Sequence, residues 1–543
     1  MTPPALERRG RSLERLERES FDLVVVGGGV TGAGVLLDAA SRGMRAALVE
    51  RDDLAVGTSS RSSKLIHGGL RYLEQLRFGL VREALAERRR LLRLAPHLVH
   101  LERFVAPIHG SPLMLPYVGA GMALYDLLGA ARDGGRFRAL LPGTVRRMAP
   151  MVHPRGLRGG FVYHDGVVDD ARLVVGVTRT AADLGAIAAT RLPAIELLRD
   201  AGRATGVRVR DALSGREFDV RAACVVDATG VTAGPAGPFG GGGRGADVAR
   251  TAPSRGIHFV VRRARLPVAM GVTIRVPGRV VFVIPWDEHV IVGTTDVPHD
   301  GPTARPSATA AEIDYLLGHV NAAMDVGLTR ADLVSTYAGI RPLAGGGDGD
   351  TVKASREHHV YSPVPGLVAI RGGKYTTYRV MARDTVDAAL GSVARRRPSL
   401  TASQPIRGAM ARAEAAALAR SIGDRHALDD ALARRLVERH GSDAPAVAAL
   451  GAELDLLRPL APGRPYLEAE VAWAAREEHA LGLDDVLARR LRLTLEAPDH
   501  GQGVAARTAE ILAPELAWDE AVTTTAIADF DASSEAEYGT TGR

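Results

Sequence analysis

The stretch that most constrains this chain runs from Phe21 to Glu50, FDLVVVGGGVTGAGVLLDAASRGMRAALVE. Leu23 to Val26 is a short apolar run without polar alternation, which predicts a parallel strand covered on both faces. It breaks at Gly27-Gly28-Gly29, so that Gly27, Gly29 and Gly32 stand in G-x-G-x-x-G register. A helix follows with Val35, Leu36, Ala39 and Ala40 inward, and Gly43 ends it. Ala46 to Val49 reads as a second strand, closed by Glu50, eighteen positions past Gly32. Gly27 permits the tight turn, Gly29 lets backbone N–H groups reach a pyrophosphate, and Gly32 lets helix and strand pack closely. A carboxylate at Glu50 is placed to hold ribose hydroxyls. The unit predicts a dinucleotide site and leaves FAD and NAD both open.

With 543 residues the chain is long enough for two or three domains. Cys224 is its single cysteine, which excludes a disulfide framework and multi-cysteine metal clusters; no metal site is expected. Glu7 to Glu19 is a dense run of mixed charge rather than the apolar core of a signal peptide. No apolar run approaches the length of a membrane-spanning helix. The formal charge of +6 does not argue for nucleic acid, because acidic and basic residues are interleaved. Of 69 basic residues only Lys64, Lys353 and Lys374 are lysines, so a retained lysine points to a need for a compact ammonium.

Residues 1–20 read as a polar lead-in, either a frayed helix or disordered. The segment RDDLAVGTSSRSSKLIHGGLRYLEQ after Glu50 is placed to wrap the ligand. Leu80 to Leu94 is a helix ended by Pro96, with an arginine-rich face read as solvated and, less favoured, as lipid-facing. Asp169 and Asp170 read as an N-cap pair. Val207 to Val209 and Phe218 to Val220 suggest a β-meander. Ala223 to Gly230, ACVVDATG, is a second apolar strand ending in a small-residue turn, and Val231 to Gly245 a glycine-rich loop. Runs such as IHFVVRR, VTIRV and RVVFVIPW predict an antiparallel second sheet, and residues 310–325 a helix. Beyond about residue 400 helical spacing prevails, and a disordered tail is expected over 531–543.

GGGVTG followed in order by GTSSRSSKLIHGGLRYLE, RVVFVIPWDEHVIVGTTD, YAGIRPL and GGKYTTYR resembles the FAD-dependent glycerol-3-phosphate dehydrogenases. EVAWAAREEHALGLDDVLARRLRL resembles that family's C-terminal helical domain. The resemblance spans about residues 20–500 and implies FAD. It implies an α/β fold: a Rossmann-like FAD-binding domain with an inserted antiparallel-sheet substrate domain and a C-terminal all-helical domain. The FAD-dependent module would cover 21–400, with FAD-binding parts at about 21–100, 155–235 and 350–400 and substrate-domain parts at about 101–154 and 236–349. The helical domain would cover 401–530.

The implied reaction oxidises sn-glycerol 3-phosphate to dihydroxyacetone phosphate and passes electrons to a membrane quinone. That places the protein in the cytoplasm, peripheral on the inner face of the cytoplasmic membrane; a homodimer is compatible. For the phosphate the matching residues are Arg71, Arg341 and Lys374, two guanidinium forks and an ammonium. Lys374 serves either the phosphate or the flavin edge. Tyr72 is a substrate hydrogen-bonder or a packing residue. The base is read as His67 ahead of His258, which is otherwise a substrate-binding residue, while Asp296 orients a neighbour or satisfies backbone. FAD contacts are expected from Gly27, Gly28, Gly29, Gly32 and Glu50, from the Thr58-Ser59-Ser60 turn and Lys64, from Ala228, Thr229 and Gly230, and from Gly373, Lys374 and Thr376.

The sequence departs from the family pattern in two places. Val231-Thr232 replaces a usual Pro-Trp after DATG, and Arg255 replaces a usual lysine. Two further readings are a glycerol-3-phosphate oxidase or related flavin oxidase using oxygen, and a flavoprotein without turnover.

Overall fold

A computed structural model describes residues 3–69, 71–130, 135–232, 239, 251–299, 301, 303–344 and 357–542. Two sheets organise the chain ahead of its C-terminal helices. At the centre of the first is the strand Ser20–Val26, whose Leu23, Val24 and Val25 are fully buried. It pairs in parallel with Glu217–Asp227 on one side and Ala46–Val49 on the other. Ile187–Ala189 and Leu367–Gly372 extend the parallel array outward. Val26 is level with both Asp227 and Val49, so three strands end on one line, and the chain opens a crevice there. The helix Val30–Ser41 packs on this sheet between the helices Asp170–Asp183 and Tyr378–Leu390. A Cβ on Gly34 would lie 2.8 Å from the Tyr378 ring, so only glycine admits that contact. The predicted meander is present: Ala194–Asp200, Arg203–Arg210 and Glu217–Asp227 run antiparallel in succession.

Among the described residues the second sheet has ten strands, antiparallel but for one contact between Gly271–Val276 and Val99–His109. Thr251–Arg262 lies between Leu333–Ala344 and His289–Gly293. The helix Ala310–Ala323 begins with a capping box, in which the Thr309 hydroxyl and the Glu312 carboxylate answer each other's backbone. The division at residue 155 needs correction. Leu157–Val168 pairs along its length with Val99–His109, and Leu65–Ile66 pairs with Val167 and Gly166, so both belong to the second sheet. Glycines admit this packing: a Cβ at Gly166 would lie 2.7 Å from the Ile66 carbonyl oxygen.

Two further expectations are corrected in part, and at the N-terminus one of two alternatives is found. The helix Phe78–Leu94 turns part of its charged face inward, where Arg88, fully buried, pairs with Asp165 at 2.5 Å and Glu87 receives Arg379 at 2.7 Å. An internal carboxylate answers Arg88 and an internal guanidinium answers Glu87, while Arg82 and Arg93 keep the solvated face that was expected. The N-terminal lead-in is the ordered helix Pro4–Arg18. Ala5 enters the core of the C-terminal domain and Leu16 the core under the first sheet, while Arg8 pairs with Glu477 and Arg9 with Asp211. The expected disordered tail is instead the end of the helix Glu520–Tyr538, because Phe530, Ser534 and Tyr538, spaced by four, form one buried face.

The C-terminal domain is a cluster of helices, including Arg412–His426, Asp430–His440, Ala469–Glu477 and Ala505–Leu516, around Leu436, Val447, Val471 and Leu512. Among the described residues no helix is long and apolar enough to cross a membrane. The glycine-rich loop expected over 231–245 falls almost entirely outside the described residues, as does Lys353.

Candidate active site

The crevice at the strand ends is a cavity of about 420 Å³. Its floor is the glycine turn. Gly27 has φ of +113°, and a Cβ there would stand 2.6 Å from the Ala228 carbonyl oxygen, so backbone alone fits between the two strand ends. Gly32 lies behind the turn, where a Cβ would meet the Gly27 carbonyl oxygen at 1.9 Å; its role is packing. Gly29 precedes the helix Val30–Ser41, which has no side-chain N-cap of its own, and the Val30 N–H donates to Ser59 Oγ at 2.9 Å. The positive helix end, reached past a Gly29 without a side chain, suits a pyrophosphate. Glu50 Oε2 accepts the Gly28 N–H at 2.6 Å, Oε1 accepts that of Asp52 at 2.8 Å, and burial pushes the carboxyl upward from its ordinary pKa.

Thr58 and Ser59 line the same cavity, as do Ala228, Thr229, Gly230, Gly373 and Lys374. A glycine floor without side chains, a helix N-terminus and a strand-end carboxylate along one elongated crevice fit an extended dinucleotide such as FAD. Three other residues expected at the cofactor stand behind this wall. Ser60 gives its carbonyl to Lys64. Lys64 Nζ is fully buried, 2.6 Å from that oxygen and 2.7 Å from Asp170 Oδ1. Burial, and then the nearby Arg492, lower the Lys64 pKa to about 8. Thr376 Oγ1 accepts the His67 N–H at 3.3 Å and so serves the second pocket.

That pocket, about 160 Å³, is walled by strands of the second sheet and by residues between Ser63 and Tyr72, and His67, Tyr72, Asp296 and Arg341 all line it. Arg341, on the strand Leu333–Ala344, is aimed before any ligand arrives. Its Nη2 donates to Thr294 Oγ1 at 2.9 Å and to the Thr295 carbonyl at 3.0 Å, and its Nη1 lies 3.3 Å from Asp296 Oδ1. Asp296 also accepts the Ser254 hydroxyl, so it orients the guanidinium. Lys374 Nζ stands 3.5 Å from the centre of the Tyr72 ring, which brings a residue of the larger cavity to the wall of the smaller one. Tyr72 lies against Gly69, where a Cβ would meet its ring at 2.3 Å.

The two histidines differ in access. His67 is on the pocket wall, its ring edge-on to Phe282. His258 is enclosed behind Ser63, with Nε2 2.8 Å from Ser63 Oγ and its ring stacked on Tyr337 at 4.7 Å. Burial, then the charges of Arg341 and Lys64, push it well below the ordinary imidazole pKa, so it is neutral near pH 7. The Arg71 side chain lies outside the described residues.

Sequence reasoning passed over Arg279, Tyr163 and Thr273, which also line the pocket. Arg279 heads the RVVFVIPW motif, and its Nη2 donates to the Asp296 carbonyl at 3.2 Å. Asp169 does cap its helix, accepting the Arg172 N–H, but capping does not account for Asp170, which binds Lys64, Arg492 and Ser62. An apolar groove of about 390 Å³ shares Thr273, Arg279 and Val280 with the pocket and runs out past Leu76, Phe78 and Tyr117, all exposed.

Residues 22–379 match the model of the FAD dependent oxidoreductase family, and residues 399–523 that of the C-terminal domain of alpha-glycerophosphate oxidase. The glycerol-3-phosphate dehydrogenase 2 of Mycobacterium tuberculosis is 45% identical, over 98% of this chain and 91% of its own length. The mitochondrial glycerol-3-phosphate dehydrogenase of Homo sapiens is 36% identical over 95% of this chain and 73% of its own. Among solved structures, the glycerol-3-phosphate dehydrogenase of Bacillus halodurans complexed with FAD superposes with a TM-score of 0.78 at 26% identity, covering 98% of each chain.

Proposed function

The chain belongs to the FAD-dependent glycerol-3-phosphate dehydrogenases, and from that premise we propose that it oxidises sn-glycerol 3-phosphate to dihydroxyacetone phosphate and delivers the electrons to a membrane quinone. One observation carries the reading: a dinucleotide crevice and a cationic pocket meet at the Lys374–Tyr72 contact, with Arg341 already oriented on the pocket side.

Bound FAD would supply the acceptor for the hydride that leaves C2. The glycine turn, Glu50 and the Ser59 side would hold it in the crevice. The chain's own residues do the rest. Arg341 binds the phosphate as a fork, its geometry set by Thr294, Thr295 and Asp296. Lys374 adds positive charge at the junction of the two cavities. His67 is placed on the wall to take the C2 hydroxyl proton. The Ser63–His258 contact supports a second route, in which a neutral imidazole receives that proton through the Ser63 hydroxyl.

The groove that adjoins the pocket supports a quinone acceptor and attachment to the cytoplasmic face of a membrane, since its outer rim carries exposed Leu76, Phe78 and Tyr117. Anaerobic mixing of the purified protein with glycerol 3-phosphate should bleach the flavin band, and a short-chain quinone should restore it. Absence of bleaching defeats the substrate assignment. Rapid peroxide release in air, with no response to quinone, defeats the quinone assignment in favour of an oxidase.

A further inference from the structure

One wall of the flavin crevice is the segment 51–64, which contributes Val56, Thr58, Ser59 and Ser62 to the lining. It contains little regular structure, and near either end a non-glycine residue has left-handed backbone: Ala55 with φ of 64° and Lys64 with φ of 59°. Such a segment does not hold its shape by its own propensity. The Ala55 N–H on the Gly28 carbonyl and the Thr58 hydroxyl on the Ile340 carbonyl tie it to the two sheets, and the C-terminal domain holds it at three further places.

Asp53, fully buried, receives both guanidinium nitrogens of Arg490 at 2.7 and 2.8 Å and Nε of Arg489 at 2.5 Å. Arg61 reaches Glu537 at 2.5 Å, both buried. At the far end Arg492, itself left-handed with φ of 70°, contacts Asp170 Oδ1 at 2.5 Å and Asp169 Oδ1 at 2.6 Å. Asp170 hands that contact on to the segment: Oδ1 takes Lys64 Nζ at 2.7 Å, and Oδ2 takes the Ser62 hydroxyl and backbone N–H at 2.7 and 3.1 Å. The Tyr337 hydroxyl then donates to the Ser62 carbonyl, and Ser63 meets His258. Buried ion pairs add little net stability relative to apolar packing, but losing one partner leaves an uncompensated buried charge, so these pairs resist displacement of either end.

We propose that the stretch Arg489–Arg492 makes the C-terminal domain part of the flavin-binding apparatus. Arg490 with Arg489 positions the start of the crevice wall through Asp53, and Arg492 positions its end through Asp170 and Lys64. These are positioning residues; none of them lines the crevice. The inference rests on the FAD reading of that crevice.

The test compares the holoenzyme with Arg490→Met, Arg492→Met and the lysine variant at each position. FAD release on dilution is followed by flavin fluorescence, and amide hydrogen exchange is mapped along the chain. If loosening leaves the wall correctly placed about a tenth of the time, the apparent Kd for FAD rises about tenfold. The expected result is that rise in both methionine variants and partial rescue by lysine. Exchange should rise in 51–56 for Arg490→Met and in 60–66 for Arg492→Met, with Ser20–Val26 still protected. Asp53→Asn, which breaks the same contact from the other side, should reproduce Arg490→Met and stands in for it if that variant does not fold. FAD affinity within about twofold of wild type, or a uniform rise in exchange across the molecule, overturns the proposal. Wild-type protein that holds no FAD overturns instead the reading on which it rests.

Discussion

Lys374 Nζ stands 3.5 Å above the Tyr72 ring, and this pair joins the larger crevice, which Lys374 lines, to the smaller pocket, which Tyr72 lines. An ammonium this close to a ring face is held by the ring's quadrupole as well as by ordinary packing. The contact makes the aromatic face of Tyr72 matter more than its hydroxyl.

Tyr72→Phe is therefore expected to leave KM for glycerol 3-phosphate nearly unchanged. Tyr72→Leu should raise it by about 2- to 30-fold, the range of a cation–π contact between exposed and desolvated settings. Steady-state kinetics decide the matter, and equal effects in the two variants would assign the hydroxyl the larger part.

Arg341→Ala removes a guanidinium held by four neighbours and leaves Asp296 without it. KM should rise steeply, by about 10- to 100-fold for a charge-assisted contact, while the flavin content of the purified protein stays normal. Loss of flavin would refute a role confined to substrate. Arg341→Lys should recover only part of the loss, because an ammonium cannot reproduce the fork.

The two histidines separate by pH profile. If His67 takes the proton, His67→Asn should abolish the acid limb of kcat/KM and His258→Asn should leave its position unchanged. If the route runs through Ser63, the pattern reverses, and Ser63→Ala should mimic His258→Asn. Because burial pushes the His258 imidazole far down, its acid limb would lie well below the ordinary histidine range.

Folding stability should fall on mild acidification. Burial lowers His97 and His479 to about 3 and His289 to about 4, against about 6.5 in an unfolded chain. The unfolded chain thus binds protons first. The stability contributed by each neutral ring is complete above about pH 6.5 and is lost as pH falls toward its folded value, at up to about 1.4 kcal/mol per pH unit. Urea midpoints measured between pH 7 and 5 should decline, and His97→Gln should flatten the decline. A midpoint independent of pH over that interval would contradict it.

The parts of the site that depend on local chain geometry were legible in the sequence. The glycine turn and Glu50 lie within thirty residues of each other, and strand, turn and helix dictate their arrangement. The cationic pocket was legible through Arg341, Lys374, Tyr72 and His67, because each stands in a motif of its own. Relationships between distant segments were not legible. Asp170 looked like half of a helix cap because its true partners, Lys64 and Arg492, are 106 and 322 positions away. The tail was read as disordered from its polarity, although a face spaced by four, Phe530, Ser534 and Tyr538, was enough to bury it. Arg279 was passed over because an arginine at the head of a strand carries no sign of which cavity it will border.

The strand Leu333–Ala344 pairs Arg341 with Ser254 and Ile340 with Arg255. Within three residues it meets three different demands: Gly339 lies against the Arg61 backbone, the Ile340 carbonyl takes the Thr58 hydroxyl at 2.5 Å, and Arg341 enters the pocket. Alternation along a strand makes this arrangement a matter of parity. Inserting one residue ahead of Gly339 would move Pro342, which has no N–H, into the place of Leu343 and lose a ladder bond there, while it would turn the guanidinium to the opposite face and send an isoleucine in its place. Such a protein could keep its sheet and its yellow colour while going blind to phosphate.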